Sequence, residues 1–102
     1  MPTDKFEIQF LTIAEEDFTE IVSYIALDNP DAADNIANLI EQNLILLSEN
    51  PRLGRVPRDS DIRNLGYRYL IVNNYLIFYV IEDKTILVHR ILHSARNYKS
   101  LL

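Results

Sequence analysis

Apolar and polar residues alternate at the start of the chain, and the pattern then changes to a helical spacing. The alternation in Phe6–Phe10 predicts a strand with one buried face, within residues 1–12. Thr12 and Glu15 fit a capping box, in which the two side chains satisfy free backbone N–H groups at a helix start. We therefore predict a helix that follows this box and ends near Leu27. Its core stripe consists of Ala14, Phe18, Ile21, Val22 and Ile25.

A second helical pattern begins at Asn29-Pro30 and completes a predicted helical hairpin over residues 13–48. Asn is a good N-cap, and Pro is tolerated at the first helical position because its missing N–H has no partner there. The apolar residues of this helix extend beyond one stripe. This extra surface is either covered by a partner or is the ordinary widening of a stripe in a small domain. Its residues are Leu39, Ile45 and Leu46.

The second half of the chain is predicted to be a long loop followed by a small sheet. Prolines and glycines interrupt any regular pattern in residues 49–66, and loops of this length are usually functional or mobile. Three strands follow within residues 67–93, and a basic tail covers residues 94–102. Two-residue turns separate these strands, which are Tyr67–Val72, Tyr75–Ile81 and Thr85–His93. The order of elements predicts one α+β domain (1–102), β-α-α-β-β-β, with the helical hairpin packed on a mainly antiparallel sheet.

Two-residue turns also predict the register of the sheet. Arg68 would lie opposite Tyr79, Tyr79 opposite Val88, and Ile77 opposite Arg90. Because unpaired charges are costly to bury, we expect the face with Arg68, Tyr75, Tyr79 and Arg90 to be open. The helices would then cover Tyr69, Ile71, Leu76, Phe78, Val80, Leu87, His89, Ile91 and His93. A one-residue bulge would reverse this assignment.

Composition restricts the class of protein. At 102 residues with 48% hydrophobic content, the chain can build one core. No apolar run reaches the length of a membrane helix, and the charged N-terminus is unlike a secretion signal. There is no cysteine, so we expect neither disulfides nor thiolate metal sites, and a cytoplasmic location.

The net charge of −5 conceals two oppositely charged halves. Residues 1–51 hold eleven acids and one base, a net charge of −10, whereas residues 52–102 hold nine bases and four acids, a net charge of +5. The acids are either a solvated helix face or a means of weakening promiscuous phosphate binding by the basic half. A pI near 4.8 argues against a protein that coats nucleic acid by charge alone.

Candidate chemistry is concentrated in arginines, tyrosines and one histidine. His89 alternates with aliphatic residues and is predicted to be structural, whereas His93 stands at a strand end and could act as a general acid or base. Two histidines without a third ligand make a poor metal site, so neither a metal nor another cofactor is expected. Arginines clamp phosphates, and tyrosines stack on bases or donate protons, so the mixed set favours an anionic partner, either RNA or an acidic protein. Its members are Arg63, Arg68, Arg90, Arg96, Tyr75, Tyr79 and Tyr98.

Four segments give the chain a resemblance to the ParE/RelE superfamily, the toxins of bacterial type II toxin–antitoxin pairs. They span nearly the whole chain: Asn29–Ala33, Leu47–Pro51 with Gly54-Arg55, Asn74–Tyr79 and Arg90–Arg96. The resemblance implies a growth-arresting protein neutralised by a cognate antitoxin, whose extended segment would cover Leu39, Ile45 and Leu46. It also implies that the complex binds operator DNA only through the antitoxin.

Mechanism divides the superfamily, since RelE-like members cleave messenger RNA on the ribosome and ParE-like members poison DNA gyrase. The ribonucleases commonly carry an arginine near the start of the middle strand, where this chain has Leu76. Leucine cannot stabilise a phosphorane, so the ParE-like function is favoured. The target-contact residues would be Arg63, Arg68, Tyr79, Arg90, His93 and Arg96. A nuclease would instead use Arg68, Arg90, His93, Arg96 and Tyr98, and a third possibility is an inactive toxin retained as co-repressor.

Overall fold

The computed structural model describes residues 5–102, which form two long helices, a short helix and a four-stranded sheet. The strand order is β1-β4-β3-β2; β1 is parallel to β4, and the other neighbours are antiparallel. This arrangement confirms the predicted α+β class. The elements are β1 (Glu7–Phe10), α1 (Thr12–Asp28), α2 (Pro30–Glu49), α3 (Ser60–Asn64), β2 (Arg68–Val72), β3 (Tyr75–Glu82), β4 (Thr85–His93) and a 3-10 helix (Tyr98–Leu101).

The two long helices start by different means. Asn29 caps α2 as predicted, because its side-chain oxygen accepts from the Ala32 N–H at 3.1 Å and Pro30 takes the first helical position. The capping box predicted for α1 is wrong. Thr12 is already helical and Leu11 is the N-cap, without a side-chain hydrogen bond. The Leu11 N–H instead donates to the Val88 carbonyl of β4 at 2.9 Å, so the chain turns from sheet into helix within one residue.

The segment predicted as a continuous loop contains regular structure. Asp59 caps α3 by accepting hydrogen bonds from the Asp61 and Ile62 N–H groups, and Ile62 is buried beneath the sheet. Earlier in the segment, Arg55 forms an antiparallel bridge with Tyr69 on the outer edge of β2. Local capping and one buried apolar side chain therefore hold the backbone of this segment in a defined conformation.

A β-bulge changes the predicted register of the sheet. The pairs Arg68–Tyr79 and Tyr79–Val88 are confirmed. The predicted pair of Ile77 and Arg90 is wrong: Ile77 lies opposite Ile91 and Phe78 opposite Arg90, because the register shifts between Phe78 and Tyr79. One residue of β4 is thus extra, and the residues beyond it exchange faces.

The assignment of the sheet faces is also corrected. Tyr75 and Tyr79 do not lie on an open face; they pack with the helices, in a core with Leu70, Val72, Ile77, Ile86, Val88 and Ile91. The other face, predicted to lie under the helices, holds Leu76, Phe78 and Val80 beside Ile62 of α3. The predicted basic tail is not free either, since Tyr98 and Leu101 of the 3-10 helix cover this second face. Each face of the sheet thus has its own apolar cluster.

Candidate functional site

Arg90, a predicted contact residue, is held by Asp17 of α1. Its Nε and Nη2 atoms donate to the two carboxylate oxygens at 2.8 and 2.9 Å, and Nη1 donates to the Leu101 carbonyl at 3.3 Å. Both side chains are largely buried, and the hydrogen bond to Asp17 raises the pKa of Arg90. Arg90 is therefore a structural cation that ties α1, β4 and the C-terminal segment together.

Asp17 also pairs with the backbone of β4. Its Oδ2 atom accepts from the Ile91 N–H at 3.0 Å, beyond the point where β1 ends and leaves the edge of β4 unpaired. Asp17 was not among the residues predicted from the sequence. Its spacing nevertheless indicates that it faces the core, because Asp17 lies three residues after Ala14 and four before Ile21, inside the apolar stripe of the helix.

Tyr79 and Arg68 support the turn at Pro51–Arg55, here named the arginine turn. The Tyr79 hydroxyl donates to the Pro51 carbonyl at 2.8 Å and accepts from the Gly54 N–H at 2.9 Å. Arg68 Nη1 donates to the Gly54 carbonyl at 3.0 Å. The tyrosine is fully buried, and burial raises its pKa. The predicted role of Tyr79 in contacting a target does not fit this position, because its ring has no exposed surface.

His93 and Arg96 lie in a groove of 760 Å³ between α1 and the end of β4, here named the α1–β4 groove. On its α1 side the groove presents Tyr24 and Leu27, whose exposed fractions of 77% and 87% are high for such side chains. The His93 ring meets Tyr75 edge-on with centroids 5.5 Å apart. The structure thus brings together two predicted residues and two that the sequence analysis assigned no role.

The remaining predicted contact residues lie elsewhere. Arg63 is on α3, where its Nη1 donates to the Arg58 carbonyl at 3.1 Å. Tyr98 packs against Phe78 with the two rings tilted and their centroids 5.1 Å apart, on the second face of the sheet. Of the five side chains proposed for a nuclease, His93 and Arg96 line the α1–β4 groove, and Asp17, which binds Arg90, lines it as well.

The α2 surface proposed for a partner is exposed in part. The exposed fractions of Ile45 and Leu46 are 58% and 49%, whereas Leu39 is half-buried and packs against the core. Exposed neighbouring aliphatic side chains on one helix are suited to covering by another chain.

Leu76 is buried at the base of the second face, in the cluster that contains Ile62 and Leu92. This environment is apolar and would not accept a charged side chain without a partner. No group of three His, Asp or Glu side chains in residues 5–102 has the arrangement of a metal site. Within the same range, no helix is long and apolar enough to cross a membrane.

His89 occupies a small pocket with Tyr67 and Glu82, consistent with the predicted structural role. Its Nδ1 lies 2.8 Å from the Tyr67 hydroxyl, and its buried Nε2 has no partner in the part of the chain that the structure describes. Burial lowers the pKa of His89, and the nearby Glu82 carboxylate only partly opposes this effect.

We expect His89 to make the protein less stable in mild acid. A histidine whose folded pKa lies below its unfolded value of about 6.5 stabilises the fold above that pH, and the contribution is lost as pH falls toward the folded pKa. Between about pH 7.5 and 5.5, the free energy of unfolding measured in urea should fall less in His89→Phe than in the wild type. The control, His93→Gln, removes the exposed histidine and should retain the wild-type difference. An equal loss in the wild type and His89→Phe would contradict this assignment.

Comparison with known proteins gives concordant results. The family model described as "ParE toxin of type II toxin-antitoxin system, parDE" matches residues 8–98. A structure of the chromosomal ParDE system of P. aeruginosa superimposes with a TM-score of 0.72 at 18% identity, covering 88% of this chain and 97% of that one. The RelBE2 toxin–antitoxin complex of Mycobacterium tuberculosis gives 0.63 at 23% identity, covering 93% and 98%. No curated protein sequence matches.

Proposed function

The chain belongs to the ParE toxin family of type II toxin–antitoxin systems, and from this premise we propose that it arrests growth by binding DNA gyrase. Its partner before release is a cognate antitoxin. The target is reached by docking, and the toxin itself makes or breaks no covalent bond. Because gyrase works on chromosomal DNA, the proposed site of action is the cytoplasm.

The observation that carries this proposal is the engagement of Arg90 by Asp17. Transition-state stabilisation of a phosphate requires donors that are aimed at the developing charge and free to bind it. Three N–H donors of Arg90 instead form hydrogen bonds with Asp17 and the Leu101 carbonyl. Arg68 donates to a backbone carbonyl, and Leu76 offers only an apolar side chain. These contacts favour a binding surface over a ribonuclease centre.

The α1–β4 groove is the proposed gyrase-binding surface. Protein interfaces draw most of their binding energy from a few aromatic, aliphatic and arginine side chains that become desolvated on contact. The groove offers Tyr24, Leu27, His93 and Arg96 together, and the first two are among the most exposed large apolar side chains of residues 5–102. Ile45 and Leu46 of α2 remain the proposed antitoxin surface.

Two matched double variants separate these surfaces. Tyr24→Ser/Leu27→Ser is expected to require at least about tenfold more toxin to inhibit gyrase supercoiling, since each side chain is a proposed hot spot. Ile45→Ser/Leu46→Ser should inhibit gyrase like the wild type but bind the antitoxin more weakly. Circular dichroism and thermal unfolding establish that both variants are folded. Equal inhibition by the wild type and both variants would exclude the α1–β4 groove.

The second candidate function is a ribosome-dependent endoribonuclease. The observation in its favour is that His93 and Arg96, a proton-transfer group and a phosphate-binding group, line the same groove. Primer extension on ribosome-bound transcripts would then reveal toxin-dependent 3′ ends that disappear in His93→Gln. Transcripts that stay intact during growth arrest would exclude this function.

A further inference from the structure

An open strand edge lines the α1–β4 groove. β1 pairs with β4 only as far as Val88, although β4 continues to His93. Within residues 5–102, no strand covers the outer edge of this last part of β4, from which Ile91, Leu92 and His93 line the groove. An uncovered edge offers main-chain donors and acceptors to another strand.

The direction of each backbone group on this edge follows from the ladder with β3. Ser94 faces β3, because its N–H donates to the Asn74 carbonyl at 2.7 Å. Backbone groups alternate in direction from one residue to the next, so those of Ile91 and His93 point to the outer edge. The hydrogen bond from the Ile91 N–H to Asp17, 3.0 Å long, has this same direction.

Two of these four outward groups are already bonded within the chain. The Ile91 N–H donates to Asp17, and the His93 carbonyl accepts from the Arg96 N–H at 3.0 Å. The Ile91 carbonyl and the His93 N–H remain for a ligand. Strands of either direction bond to an edge through a carbonyl and an N–H placed two residues apart. The groove is therefore suited to the backbone of an extended polypeptide.

The wall of the groove adds apolar contacts beside this edge. Tyr24 and Leu27 project from α1 and are largely exposed. Successive side chains of a strand point to opposite sides of its backbone, so a segment paired with β4 would place every second side chain against α1. In this mode of recognition, main-chain hydrogen bonds supply affinity and the pockets for alternate side chains supply specificity.

The charge of α1 indicates the kind of segment that fits. The helix contains five acids and no base. Asp17 is bonded to Arg90, but Glu20 lines the groove, is exposed and forms no ion pair with any of residues 5–102. The basic lining residues, His93 and Arg96, belong to the other side, at the end of β4. A segment with a basic residue beside Glu20 is therefore complementary to the α1 side.

We propose that an extended, basic segment of gyrase pairs with Ile91 and His93 along this edge. The inference rests on the proposed function and specifies how gyrase docks. An enzyme that holds DNA exposes basic segments for the phosphates, and the acidic α1 suits such a segment. A second copy of the toxin would instead bring two acidic α1 helices together. The antitoxin has its own proposed surface at Ile45 and Leu46.

Hydrogen exchange of the full-length toxin, alone and with purified gyrase, tests the pairing directly. The His93 amide is informative, because the N–H groups of Ile91 and Ser94 are already bonded in the free toxin. Mass spectrometry of the fragment with residues 91–96 should reveal one amide that exchanges at least about tenfold more slowly in the gyrase complex. Free toxin at two concentrations and toxin with its antitoxin are measured in parallel.

Substitutions at the edge separate the backbone from the side chain. His93→Pro removes the outward N–H and leaves the ladder with β3, since proline is tolerated where a strand edge faces outward. His93→Ala keeps the N–H. His93→Pro should require about tenfold more toxin than His93→Ala to inhibit supercoiling. As the control, Ile71→Pro removes an outward N–H from the opposite edge of the sheet, two residues after Tyr69, and should inhibit like Ile71→Ala.

A pair of charge variants tests the basic character of the segment. Glu20→Gln should weaken gyrase inhibition by about threefold, because it removes the charge that faces the segment. Glu15→Gln makes the same change on the same helix outside the groove and should inhibit like the wild type. Equal inhibition by both variants would exclude a basic segment.

The outcomes distinguish this pairing from the proposed function. Inhibited gyrase with a His93 amide that exchanges as fast as in the free toxin would overturn the pairing and leave the function intact. Slower exchange caused only by the antitoxin, or only by a higher toxin concentration, would overturn it because another chain then occupies the edge. Equal inhibition by His93→Pro and His93→Ala would also overturn it. A toxin that neither binds nor inhibits gyrase would refute the proposed function and this inference with it.

Discussion

Replacing Asp17 with alanine is expected to lower the free energy of unfolding by about 3–5 kcal/mol, the usual cost of removing one partner of a buried ion pair. The change leaves the Arg90 guanidinium with an uncompensated charge and the Ile91 N–H without its acceptor. Both losses occur at the junction of α1 and β4. Urea unfolding monitored by circular dichroism measures the effect directly.

Two further variants test this explanation. Glu16→Ala removes an exposed acid one residue away and should change stability by less than about 0.5 kcal/mol. Asp17→Leu/Arg90→Met replaces the whole pair with apolar side chains and should recover much of the loss, because no buried charge then stands alone. A loss below about 1 kcal/mol in Asp17→Ala would mean that water or another group takes the place of the carboxylate.

Gly54→Ala is expected to destabilise the protein by about 1–3 kcal/mol through overpacking. The new Cβ would overlap the Tyr79 hydroxyl and lie 2.7 Å from the ring atom Cε1, and a ring with no exposed surface has no space into which to move. The arginine turn must therefore shift away from β3. Thermal and urea unfolding report the loss.

A double-mutant cycle with Tyr79→Phe distinguishes this clash from a general effect of losing glycine. Tyr79→Phe alone should cost about 1–3 kcal/mol, since it leaves the Gly54 N–H and the Pro51 carbonyl unpaired. The combined variant should lose less than the sum, because the turn has already moved off the ring. Strict additivity, or a neutral Gly54→Ala, would contradict the close approach.

Features of the fold that depend on local chemistry could be predicted from the sequence. Asn29-Pro30 combines an N-cap oxygen with a residue suited to the first helical turn, and the structure has both. The tight turn after β2 fixed the pairing of Arg68 with Tyr79. These features involve residues close together in the chain, so residue type alone is informative.

The bulge in β4 could not be predicted in this way. No glycine or proline lies in β4 or in the part of β3 opposite it, so residue type gives no sign of the extra residue. The bulge places Arg90 opposite Phe78, on the other face of the sheet from Tyr79. The face with Tyr75 and Tyr79 was expected to be open because Arg90 was assigned to it, and Tyr79 is instead buried in the core with the helices.

Candidate site residues divide in a similar manner. His93 and Arg96 could be identified because polar side chains at a strand end seldom serve packing alone. Tyr24 and Leu27 look in sequence like the continuation of an apolar helix face, and only the three-dimensional structure reveals that they extend beyond the core. Asp17 was not recognised as buried because it follows two other acids, Glu15 and Glu16, which are exposed as acids normally are.

The most direct test of the central claim, that this toxin acts on gyrase by docking, is to add purified wild-type toxin to two reactions in parallel. One is supercoiling of relaxed plasmid by purified gyrase, and the other is cell-free translation of a defined messenger RNA. We predict that supercoiling stops while translation continues and the messenger stays intact. Normal supercoiling with a cleaved messenger would contradict the claim.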